Sequence, residues 1–127
     1  MQDIPVVLNG YNLMVVEAPV VKTKELESGE LVSVTNRDGV EQYVVSLFAK
    51  PVPRPGERGR KGEEIKVNLP GDPGEGFEEG SYVELVNPVL NTYEMRGEGN
   101  QITAAGIWWK ADGLKPAARR NGLVSAA

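Results

Sequence analysis

The chain has 127 residues, of which 40 % are hydrophobic and 25 % charged, with no Cys, no His and a formal net charge of −4. That length suits one domain with one core, and that composition is not that of a disordered chain. The missing Cys and His exclude a disulfide framework, a thiolate zinc site and His-dependent triad chemistry, and the acidic balance argues against a uniformly basic nucleic-acid binder.

The opening residues, MQDIPVVLNGYNLMVVEAP, have neither the basic start nor the long apolar run of a signal peptide. No apolar stretch approaches the length of a membrane span, so the expectation is a cytoplasmic protein with no membrane partner. Between Tyr11 and Lys24 the pattern reads as a strand, broken or bulged near Pro19. LVSVTNRDGVEQYVVSLFAK reads as two strands around Asp38-Gly39, a dipeptide suited to the positive φ of a tight hairpin. On the second of these, Tyr43, Val45 and Leu47 share one face, and Val44, Ser46, Phe48 and Lys50 share the other. PVPRPGERGRKG, residues 51–62, alternates Pro and Gly with basic residues and reads as a hydrated arm. EIKVNLP then alternates cleanly, with Ile65, Val67 and Leu69 inward and Lys66 and Asn68 outward.

PGDPGEGFEEG is an acidic turn, and SYVELVNP sets Val83 and Leu85 against Tyr82, Glu84 and Val86. QITAAGIWWKA is the last strand. No window has the period of a helix, and short strands joined by turn-rich connections predict a small antiparallel all-β barrel or sandwich. Residues 1–116 form the single expected domain, and 117–127 a flexible tail.

Charge is segregated along the chain. Lys50 to Lys66 holds six basic residues against three acids, Lys110 to Arg120 holds four against one, and GDPGEGFEEGSYVE carries five acids and no base. No carboxylate pair is marked for acid–base work, GERGRKGEE lacks the spacing of a phosphate loop, and GDPGEGFEE lacks that of a calcium loop, so neither an enzyme nor a cofactor is expected.

What remains is basic residues interleaved with aromatics on a β-platform. Single-stranded nucleic acid is held by stacking bases on aromatic rings while Lys and Arg follow the phosphates. The candidates are Phe48 with Lys50, the arm residues Arg54, Arg58, Arg60 and Lys61, then Lys66, Tyr93 with Arg96, and one of the paired tryptophans with Lys110. Alternation sends Trp108 and Trp109 to opposite faces. Trp109 is the expected surface ring because it directly precedes Lys110, although two buried tryptophans closing the core is the competing reading.

SYVELVNPVLNTYEMRGEGNQITAAGIWWKADGLKP, above all Val83 to Pro88 and Ala111-Asp112, resembles a family of auxiliary proteins carried by integrative and conjugative elements and plasmids. The resemblance covers the C-terminal half and transfers no site residue. It implies a helicase-processivity or single-stranded-DNA-binding accessory, with a helicase or relaxase as the partner to expect. At the level of fold the chain is similar to the single-stranded-DNA-binding proteins of filamentous phage. That similarity implies an OB-like Greek-key barrel without the usual helix, whose arm at 51–62 contacts DNA and which pairs with a second copy of the chain. The rival expectation is a protein-interaction module that docks a replication or transfer enzyme and never touches nucleic acid.

Overall fold

Val, Ile, Leu and Tyr alternating with polar residues favour extended backbone, and a computed structural model describes residues 2–56 and 59–120 as an all-β protein. Ten strands follow one another: β1 Ile4–Pro5, β2 Tyr11–Val21, β3 Thr23–Glu25, β4 Leu31–Ser33, β5 Tyr43–Pro51, β6 Glu63–Leu69, β7 Tyr82–Val86, β8 Val89–Arg96, β9 Ile102–Lys110 and β10 Gly113–Pro116. The only helical turn among the described residues is a short 3-10 turn at Glu98–Asn100, which links β8 to β9.

Eight strands form one sheet in the order β1-β8-β9-β6-β5-β2-β7-β10, and β3 and β4 make a separate hairpin. All neighbours in the large sheet are antiparallel except β6 and β9, which run parallel and meet only at Val67↔Trp109 and Asn68↔Lys110. The barrel expected from the strand pattern does not close: β1 and β10 are the two ends of the order and do not pair with each other. The sheet is therefore mixed and open rather than an antiparallel closed barrel.

The core lies on one face of this sheet. Val15, Val45, Leu47, Val67 and Leu69 are essentially inaccessible, joined by Leu13, Ile65, Val83 and Leu114. Among the described residues no helix covers that face, and the sheet buries it by bringing residues of β2, β5, β6, β7 and β10 into one cluster. Phe77, from the acidic turn, also enters the core. The Gly- and Pro-rich stretch is thus a lid carrying one aromatic anchor, and it leaves its acids exposed.

The hairpin expected around Asp38-Gly39 forms only in part. Asn36 Oδ1 accepts from the Asp38 and Val40 amides, Gly39 takes φ +78°, and Thr35 bridges Glu41. Further out the strands separate, because β4 pairs with β3 while β5 pairs with β2 and β6. In β2 the register shifts between Val15 and Glu17 and again between Glu17 and Val20, close to the predicted break at Pro19. No helix of the described residues is long and apolar enough to cross a membrane.

Candidate nucleic-acid interface

Because β6 and β9 pair over so short a length, they part as they are followed back toward their N-termini. β9 continues with β8 alone as a two-stranded limb, and β6 continues with β5 into the 52–62 connection. The two limbs leave the same end of the sheet, since parallel strands begin on the same side. On the β8–β9 limb the residues from Tyr93 to Arg96 and from Ile102 to Ala105 are all exposed, so neither of its faces is covered. Between the limbs lies a groove of about 520 Å³, lined by Lys22, Val44, Glu63, Glu64, Ile65, Lys66, Asn68, Ile107, Trp108 and Trp109.

Register decides which face each side chain takes. Val67 is fully buried, so its partner Trp109 points to the core, where it packs as a partly buried residue. This reverses the expectation for the tryptophans. Adjacent residues on a strand point to opposite faces, so Lys110 belongs with Trp108, two residues back, and not with Trp109. Trp108 is half-buried on the outer face, the face that also carries Lys66, Asn68 and Lys110.

The same face on β5 carries Phe48 and Lys50, opposite Glu64 on β6 and Asn12 on β2 respectively. Phe48 is half-buried because its ring lies against Gly62: a Cβ at that glycine would stand 2.6 Å from the ring and 2.7 Å from the Ala49 carbonyl oxygen. The 51–62 connection thus folds its end onto Phe48 and leaves only part of the ring open. Lys50, Arg54, Arg60, Lys61 and Lys66 are exposed, and none of them forms an ion pair with another described residue. Arg58 lies outside the described residues.

Tyr93 and Arg96 stand apart on the β8–β9 limb. The Tyr93 ring lies over Gly106, directly across the hairpin, where a Cβ would come within 2.5 Å of its hydroxyl. An aromatic ring covering a cross-strand glycine shields backbone that glycine leaves bare. Arg96 is committed: it pairs with Glu94 at 2.8 Å and donates to the Asn100 carbonyl at 3.0 Å.

One basic contribution was not expected from the chain's pattern. Asn12, buried on the outer face of β2, accepts from the Arg120 amide at 2.7 Å and donates to the Arg120 carbonyl at 2.9 Å. The segment after β10 is thereby held across the sheet at the position opposite Lys50, with Ala117 donating to the Tyr82 carbonyl. The Arg120 guanidinium donates to the Asn9 carbonyl and pairs with Glu84 at 3.3 Å, leaving exposed Arg119 beside it in sequence. Nothing in the sequence marks this latch, since the burial of Asn12 and its place opposite Lys50 follow from the strand pairing.

The outer face therefore carries a half-open Trp, a half-open Phe and unpaired lysines, with Glu63 and Glu64 lining the groove and exposed Arg54 and Arg60 in the connection that follows β5. Among the described residues no group of three or more Asp or Glu side chains converges as a metal site would require. No family model, curated protein or solved structure matches this chain.

Proposed function

We propose that this protein is a non-enzymatic single-stranded-DNA-binding or helicase-accessory protein, of the kind the C-terminal resemblance implies for mobile elements and plasmids. The observation that carries the reading is Trp108 on the outer face with Lys66 and Lys110, at the mouth of a groove between two limbs. A ring half-open to solvent and flanked by ammonium groups provides a π-face for a base and charge for the adjoining phosphates. Phe48 with Lys50 continues the track toward Arg54, Arg60 and Lys61. Backbone neutralisation and stacking need no sequence preference, so binding is expected to be general.

The strand order β7-β2-β5-β6 supports the OB-like part of this reading. It places a fourth antiparallel strand beside the first of three, as a Greek key does.

The acids Glu63 and Glu64 on the groove, with the net charge of −4, favour the second reading, in which the same groove docks a helicase or relaxase. Fluorescence anisotropy of a labelled oligonucleotide separates the two, using wild type and a variant with Arg54, Arg60 and Lys61 changed to Glu. DNA binding that is lost in the variant and weakens with salt supports the first reading. Wild-type protein that leaves the oligonucleotide unbound at low salt refutes it.

A further inference from the structure

Ala111 donates its amide hydrogen to the Asn68 carbonyl, so the backbone groups of Ala111 point toward β6. Alternation carries this backwards along β9: Trp109, Ile107 and Ala105 aim their N–H and C=O groups to the β6 side, while Trp108, Gly106 and Ala104 aim theirs at β8. Beyond Trp109, β6 has diverged, and no described strand meets that side of β9. Ala105 and Ile107 thus offer backbone donors and acceptors on an open sheet edge.

Natural proteins protect such edges with charge, proline or a covering loop. Gln101 to Trp109 contains no charged residue and no Pro, and among the described residues no strand covers this edge. The side chains around it are apolar and open, with Ile102 and Ile107 each 55 % exposed, Met95 59 % and Tyr93 45 %. Across the hairpin Glu94 is paired with Arg96, and Glu63, Glu64 and Lys66 stand on the far side of the groove that Ile107 lines.

We infer that a second copy of the chain covers this edge, with β9 pairing antiparallel to β9 about a two-fold axis at Ala105. A two-fold antiparallel pair sets Ala105 against Ala105 of the other copy, and Ile107 against Thr103. The edge-facing groups of Ala105 are the ones that exchange reciprocal hydrogen bonds in that register, and Ile against Thr is a favourable β-branched cross-strand pair. An isologous contact brings each residue near its own copy, so a charged segment would repel itself. The uncharged run from Gln101 to Trp109, on a protein of net charge −4, is the stretch that suits this contact. The inference is independent of the nucleic-acid reading, since it concerns the protein alone.

Sedimentation velocity without DNA tests it with three chains: wild type, Ala105→Lys and Ala105→Glu. Wild type is expected at twice the 13.8 kDa chain mass. Each variant alone sets like charges face to face on the axis and is expected as a monomer, with an unchanged far-ultraviolet spectrum showing that it folds. Mixing the two variants is expected to restore the dimer, because Lys then faces Glu. A wild-type monomer at the highest attainable concentration overturns the inference. Variants that stay dimeric alone, or that fail to associate when mixed, overturn it as well.

Discussion

Asn12→Ala removes both hydrogen bonds that clamp the Arg120 backbone, at 2.7 and 2.9 Å, while leaving the strand beneath it intact. Each such bond contributes about 1 kcal/mol net, so the clamp is worth about 2 kcal/mol. That loss falls on a segment with little else to hold it. What remains is one backbone bond from Ala117 to the Tyr82 carbonyl, the exposed bond from the Arg120 guanidinium to the Asn9 carbonyl, and the Arg120–Glu84 pair, which is exposed at both partners and adds little. The effect is therefore local opening of residues 117–120 and not global unfolding. Amide hydrogen exchange by NMR reads it directly. The Arg120 amide should exchange roughly thirtyfold faster, since each 1.4 kcal/mol is about tenfold, while the amides of Leu47 and Val67 in the core stay near wild type. Asn12→Asp should fall between the two, because it keeps the acceptor for the Arg120 amide but sets a carboxylate oxygen against the carbonyl. Arg120 exchange unchanged in Asn12→Ala would refute the clamp, and equal acceleration at Leu47 would show that Asn12 supports the whole fold instead.

Gly62→Ala places a methyl 2.7 Å from the Ala49 carbonyl oxygen, a backbone atom with little room to retreat, and 2.6 Å from the Phe48 ring. A loss of about 1–3 kcal/mol in urea unfolding is expected, in the range of overpacking substitutions. Exchange of Arg60 and Lys61 to Gln removes two of the proposed phosphate contacts. The slope of log K against log salt for a single-stranded oligonucleotide should then flatten by about 1.4, at roughly 0.7 for each contact.

EIKVNLP was legible in full, because both of its neighbours leave one face buried: Ile65, Val67 and Leu69 are in the core and Lys66 is in solvent. SYVELVNP is equally legible, with Val83 buried and Leu85 packed against the core. The partners of strands were harder, since alternation says which way a side chain points and not which strand lies beside it. β4 leaves β5 for β3, and β9 joins β6 in parallel, a non-local pairing with no turn to announce it. Phe77 was hidden in a stretch whose Gly, Pro and acids read as solvent-facing. Trp108 was within reach of the parity rule, which puts it with Lys110. Adjacency to Lys110 in sequence points to Trp109, but on a pleated strand it is the residue two positions away that shares the lysine's face. The β8–β9 limb had no local signal, since Thr92 to Arg96 and Ile102 to Ile107 have the composition of ordinary sheet, and their exposure depends on where β1 and β6 end.

Tryptophan fluorescence on two single-tryptophan proteins, Trp108→Phe and Trp109→Phe, titrated with a single-stranded oligonucleotide at low salt, tests the interface most directly. The account predicts strong, salt-sensitive quenching when Trp108 is the remaining indole and little change when Trp109 is, because Trp109 packs against the core while Trp108 lies on the basic face. Quenching that follows Trp109, or an oligonucleotide that leaves both proteins unchanged, would contradict it.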